Sequence, residues 1–295
     1  MIEKRLVQWY ASDTGVDLDI AEREIVLTYV LRIMEDRGFL QCLAFKGGTA
    51  IRKLYLGNQG RFSLDLDFTA LDEVNAEDLI LDIVSAFHDQ TYFGLEFTIP
   101  AADYYTTQES CGAAVTYRHG WTEAGKFDIQ ISLRALPLLP VKGMALRSER
   151  YFDWLDFAPP VVPTLDLHEI IGEKIRAALQ RSRVRDLYDL YQLSSQRFDR
   201  QIVRRIAVIK CWETRFAFNP TAFWKSIHTG QYNWNDLRRL VRRGRESSPE
   251  TIINGVRKDY AFLDGLTEEE AILAGDAYQR EQKTYRMLVR SLASA

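Results

Sequence analysis

Three polar residues set two apart, Ser63, Asp65 and Asp67, alternate with Leu64, Leu66 and Phe68 in the stretch RFSLDLDFTA. Read as a strand, this alternation sends the polar three to one face and the apolar three to the other. Carboxylates two residues apart on a strand have backbones about 6–7 Å apart and can lean together around hard divalent cations, which prefer oxygen ligands. Without a cation or a donor such like charges repel one another. The same pattern suits an ordinary solvent-facing edge strand, so the Asp-x-Asp pair alone leaves both readings open.

Upstream lies Lys46-Gly47-Gly48-Thr49. Glycines allow left-handed dihedrals and close backbone approach, and amides opening a helix at Thr49 would suit a nucleotide phosphate. A glycine pair is commonly just a turn; what carries weight is the turn and the acids together. Lys174, in LHEIIGEKIRAALQR, has Ile170, Ile171, Ala177 and Ala178 three and four residues away, so it projects from an apolar stripe. It either snorkels to the surface or reaches an acid or a phosphate. Asp186, in RDLYDLY, reads on its own as a helix N-cap or as a catalytic acid. Arg238, Arg239, Arg242, Arg243 and Arg245 surround Leu237, Leu240 and Val241, which predicts a helix with a cationic outer face. That face is either a solvated surface or a phosphate clamp for RNA, and several phosphate contacts would make affinity strongly salt dependent. The four histidines, His88, His119, His168 and His228, show no ligand spacing, and no Ser-His-Asp or Cys-His order is legible.

KGGTA followed by RFSLDLDF resembles the first motif of the AbiEii/AbiGii-type, MenT-like toxin nucleotidyltransferases of the DNA polymerase β-like superfamily. HEIIGEKIRAALQR and RDLYDLY resemble that family's second conserved region, so the likeness spans roughly residues 44 to 192. The resemblance implies Asp65, Asp67, Lys174 and Asp186 as catalytic residues, with Asp186 a base or an organiser of Lys174 and Asp189 serving local structure. It implies an NTP held by Lys46, Gly47, Gly48, Thr49, Ser63 and Lys174, and Mg²⁺ held by Asp65 and Asp67. Asp128, in KFDIQIS, is a third metal ligand by analogy with the superfamily. The implied reaction is attack of an acceptor hydroxyl on the α-phosphorus with release of pyrophosphate. The implied role is a toxin of a toxin–antitoxin or phage-defence system, with the 3′ end of tRNA as acceptor and a cognate antitoxin as partner. Two other readings stay open: transfer to a small molecule such as an antibiotic, and a non-catalytic nucleotide-binding regulator.

The elements that must position these residues can be read from periodicity. Residues 18–37 read as a helix ended by Gly38, TAIRKLYLG as a helix closed by Gly57, and EDLILDIVSAFHD as another helix. RFSLDLDFTA, LEFTIP, AAVTYRHGW and GKFDIQISLR read as strands. Three prolines in FAPPVVPTLD predict a break, with Thr164 or Asp166 capping the next helix, and helical patterns dominate beyond it. The expected fold is α+β: a nucleotidyltransferase-like mixed sheet with helices over residues 1–160, then a mainly helical domain over 161–295 that completes the active site and contacts RNA.

With 46% hydrophobic and 27% charged residues among 295, the chain has an ordinary globular composition rather than a disordered one. Its apolar runs are too short to span a bilayer and its N-terminus lacks a signal-peptide pattern, which predicts a cytoplasmic protein without membrane contact. Cys42, Cys111 and Cys211 form no metal-spacing motif, so reduced thiols are expected. The net charge of −3 divides unevenly: residues 1–149 carry 14 basic against 22 acidic residues, and the remainder 24 against 19.

Overall fold

The computed structural model describes residues 2–121 and 124–292. Helices α1 (Lys4–Thr14) and α2 (Leu18–Asp36) come first, and α2 buries Ile20, Val26, Tyr29 and Met34 on different sides, so it runs through the interior. Strand β1 (Leu43–Lys46) leads directly into α3 (Gly47–Ala50), which continues as a π-type turn over Ile51–Leu56 rather than as the plain helix expected. The side chain of Arg52 within that turn is buried and donates to the carbonyls of Gly57 (3.1 Å) and Gly60 (2.8 Å), tying the widened turn to the loop after it.

Strand β2 (Leu66–Ala70) is shorter than the alternation predicts. Residues 61–65 lie outside the ladder and bond elsewhere: the Phe62 amide donates to the Leu240 carbonyl (2.7 Å), and the Thr49 hydroxyl donates to the Asp65 carbonyl. Ser63 and Asp65 therefore precede the strand instead of lying on it. Helix α4 (Ala76–Phe87) comes next, capped by Asn75, and then β3 (Gln90–Tyr92), β4 (Leu95–Thr98), β5 (Tyr104–Thr106), β6 (Ser110–Arg118), β7 (Gly125–Ser132), β8 (Lys142–Ala145) and β9 (Val161–Thr164).

The strands form one mixed sheet in the order β3-β4-β6-β7-β2-β1-β9-β8, with β5 beside β6. β2 pairs in parallel with β7, and β1 in parallel with β9; the other pairs are antiparallel. Strand β9 runs against the expectation that the three prolines of 157–166 disfavour regular structure. Pro163 sits inside it opposite Gly143, and its pairing with β1 reduces to Phe45 with Thr164, so little of the ladder depends on the missing amide hydrogen.

The chain divides into two compact units. The first comprises residues 1–136, 141–164 and 239–245, and the second residues 137–140, 165–238 and 246–295. The second unit is helical: α5 (Leu167–Gln180), α6 (Val184–Leu193), α7 (Arg200–Glu213), α8 (Pro220–Thr229), α9 (Trp234–Leu240, whose last two residues belong to the first unit), α10 (Pro249–Asp259), α11 (Glu268–Gly275) and α12 (Gln282–Leu292). Capping side chains begin several of these helices: Asp166 accepts from the His168 amide, Asp199 from Gln201 and Ile202, and Thr267 completes a capping box with Glu270. The fold is thus α+β, as expected from the pattern of strands followed by helices. No helix among the described residues is long and apolar enough to cross a membrane.

Candidate active site

Lys46 and Asp67 face each other in the antiparallel register of β1 and β2, so their side chains leave the same face of the sheet. Leu66 and Phe68 point the other way into the core, where both are fully buried. Gly47, the next residue after Lys46, has φ +73°, a conformation L side chains rarely adopt. A Cβ there would meet the Asp67 carboxylate at 2.1 Å. At Gly48 a Cβ would meet a guanidinium nitrogen of Arg61 at 2.6 Å and the Ser63 hydroxyl at 2.8 Å. The close approach that the two glycines permit is therefore made by the chain's own side chains, an acid on one glycine and a cation with a hydroxyl on the next. Buried Thr49 fastens this turn to Asp65 through the hydroxyl-to-carbonyl bond.

The parallel register places Asp67 beside Gln130 and Leu66 beside Ile129, which brings Asp65 next to Asp128. The Asp65 carboxylate accepts a long hydrogen bond from the Asp128 amide (3.4 Å). Partial burial, and then the charge of Asp65, push the Asp128 carboxyl up from its ordinary value. A divalent cation would relieve this crowding of like charge, and carboxylates are the donors Mg²⁺ prefers, so the residues present fit such an ion. Among the described residues, however, no group of three or more His, Cys, Asp or Glu side chains is arranged to hold a metal. Asp128 shares the face of Asp65 and Asp67 without completing a three-carboxylate cage.

In the helical unit, Lys174 is buried and its ammonium lies 2.9 Å from Asp186 and 2.9 Å from Asp189. Arg181 adds a second cation, donating from Nε to Asp186 (2.8 Å). Asp186 stands in the first turn of α6, but the N-cap is Arg183 and the Asp186 side chain caps nothing there. Burial alone would raise the Asp186 carboxyl, yet the Lys174 ammonium and the Arg181 guanidinium outweigh it and hold the group well below the usual carboxylate range. Of the two readings of Lys174, the structure shows the one in which it reaches an acid. Asp189, expected to serve local structure, pairs with the same ammonium, and Arg181, which no motif singles out, joins the cluster. The signal for Asp189 is its place three residues after Asp186 on one helix face.

The basic segment departs from the predicted helix: α9 stops at Leu240, and Arg242, Arg243 and Arg245 lie beyond it. The chain turns away because its backbone bonds elsewhere, the Leu240 carbonyl with Phe62 and the Arg243 amide with the Thr14 carbonyl (2.9 Å). Two of the five arginines are committed to acids of the first unit. Arg239 pairs with Asp17 (3.1 Å) and Arg242 with Asp13 (2.7 Å). Arg238, Arg243 and Arg245 are exposed. A separate 910 Å³ cavity in the first unit is lined by Ala70, Asn75, Thr106, Arg134 and Leu136, toward the far end of β2 from Asp65.

A family model described as "Nucleotidyl transferase AbiEii toxin, Type IV TA system" matches residues 29–274, well beyond both ends of the motifs. Comparison with curated proteins finds no significant match. Among solved structures, MenT4, a nucleotidyltransferase toxin from Mycobacterium tuberculosis H37Rv, aligns over 99% of each chain with a TM-score of 0.84 and 24% identity. That likeness establishes a shared fold. With more than three quarters of its length matched by the family model, the chain belongs to the AbiEii nucleotidyltransferase toxin family of type IV toxin–antitoxin systems.

Proposed function

We propose that the chain transfers a nucleoside monophosphate from an NTP to the 3′ end of tRNA, with Mg²⁺ held by Asp65 and Asp67. The observation that carries this reading is the seating of the Asp67 carboxylate against Gly47, in the same turn where Ser63 meets Gly48. An acid suited to a hard cation and a hydroxyl suited to a phosphate oxygen are thereby locked to one short piece of backbone. Bound Mg²⁺ would supply charge neutralisation at the phosphates. The chain's own residues supply the rest: Lys46 and Ser63 orient the triphosphate, and the fixed turn spares the cost of ordering them during reaction.

Lys174 and Asp186 enter this reading through the family pattern. With its carboxyl held so low, Asp186 is a poor proton acceptor near neutrality, which favours its role as an organiser of Lys174 over that of general base. The NTP substrate and an antitoxin partner follow from the family; tRNA as acceptor, and Arg238, Arg243 and Arg245 as its contact, are part of the proposal.

Incubating the purified chain with total RNA and each α-labelled NTP in turn reports donor and acceptor together. Labelling of a tRNA-sized product is expected with one or more NTPs, as is its loss on addition of EDTA and in Asp65→Ala and Asp67→Ala variants. Undiminished transfer by both variants would refute the metal assignment, and a labelled species of another size would refute the acceptor.

A further inference from the structure

Arg61 has no part in the roles assigned above, yet it is the side chain nearest the glycine turn on its cationic side. Phe62 anchors the chain beside it. That ring is fully buried, lies 3.9 Å under the Arg52 guanidinium and stands edge-on to Tyr10, and its amide is held by the Leu240 carbonyl. Arg61 and Ser63 flank this anchored residue. Both converge on Gly48, where a Cβ would come within 2.6 Å of Arg61 and 2.8 Å of Ser63. Arg61 is only 5% exposed and donates to the Phe62 carbonyl (3.1 Å), so its guanidinium is fixed rather than free to sweep through solvent.

A guanidinium cannot discharge by losing its proton. One held against the turn that also presents Ser63 is a permanent positive charge at the nucleotide site. It is next in line to Gly47, which carries the Asp67 carboxylate, so the two consecutive glycines support opposite charges. An acid to hold a cation and a planar cation to hold phosphate oxygens are the two things a metal-bound triphosphate requires.

We propose that Arg61 is a phosphate-positioning residue of the nucleotide site, bracing Gly48 and Ser63 and setting a fixed positive charge where the triphosphate docks. The proposal rests on the nucleotidyltransferase reading of the same turn. It is tested with the full chain by titrating each Mg·NTP calorimetrically, and by measuring KM and kcat for the NTP transferred best, in wild type, Arg61→Gln, Arg61→Lys and Gly48→Ala. The expected result is a KM and a binding constant weakened by about ten- to hundredfold in Arg61→Gln, with kcat changed far less, the size expected for loss of a charge-assisted contact made in ground and transition states alike. Arg61→Lys should recover part of that loss, and Gly48→Ala, which crowds the guanidinium, should reproduce it. A folded Arg61→Gln variant that binds and transfers like wild type would overturn the assignment. If Arg61→Gln fails to fold, Arg61→Lys decides: an unchanged KM overturns the proposal and a raised one supports it. Wild type that binds NTP without transferring it would end the transferase reading and leave Arg61 to be judged by titration; wild type that binds no NTP would end both.

Discussion

Gly47 shows how one residue can decide whether a site exists. An alanine there must accept φ +73°, at a cost of about 1–2 kcal/mol for an L-residue. It must also displace the Asp67 carboxylate, which lies 2.1 Å from where the methyl would go. The fold can tolerate that strain, but the displaced acid is the proposed metal ligand. Gly47→Ala is therefore expected to melt within several degrees of wild type while losing at least about a hundredfold in nucleotide transfer, since misplacement by an ångström can cost that much. A folded variant with wild-type transfer would show that Asp67 does not need its seat. At this scale Asp65, Asp67, Gly47 and Gly48 were all legible from residue type and spacing. What those glycines accommodate was not, because Arg61 and Ser63 reach Gly48 from thirteen and fifteen residues along the chain, and a pattern fixes which face a side chain takes but not what it touches.

At the scale of elements, α5 and α6 are pinned by the cluster of Lys174, Asp186, Asp189 and Arg181. Lys174→Met would remove the ammonium that Asp186 and Asp189 share, and removal of one partner from such a buried pair typically costs about 3–5 kcal/mol. Chemical denaturation should show that loss as a lower midpoint. Acid should erode the same contribution. Because Asp186 titrates lower in the folded chain than in the unfolded one, its stabilisation is complete above about pH 4, the ordinary carboxylate value, and is lost as pH falls from there towards the folded value. The denaturation midpoint of wild type is thus expected to fall more steeply below pH 4 than that of Asp186→Asn, which starts lower at neutrality; parallel curves would exclude Asp186 as a contributor. Helix α5 and the interior helix α2 were legible from their patterns, but the ions buried on α2 were not. Glu24 is 1% exposed and pairs with Lys53 (2.9 Å) and Arg52 (3.3 Å), an arrangement that unites residues nearly thirty positions apart and leaves no local trace in the sequence.

For the whole molecule, charge divides between an acidic first half and a basic second half, and the exposed arginines 238, 243 and 245 are the part of the basic segment proposed to meet the acceptor. If they meet RNA phosphates, raising salt from 50 to 200 mM should weaken the apparent affinity for RNA, by about tenfold or more for several contacts. The triple alanine variant should show a shallower dependence with the same KM for NTP; an unchanged slope would remove these residues from the acceptor surface. The α+β class was legible in the order of the elements, whereas the return of 239–245 to the first unit was not, since a helix-like run of arginines gives no sign of where its backbone will bond. That return has a consequence for the gene. The Leu240 carbonyl holds the amide of Phe62, between Arg61 and Ser63, and the Arg243 amide holds the Thr14 carbonyl. A polypeptide terminated after β9 would contain every proposed magnesium ligand yet lack the strap that holds Phe62 and Thr14, so a premature stop anywhere in 165–238 is expected to yield a harmless product rather than a minimal toxin, scored by growth of cells expressing each fragment.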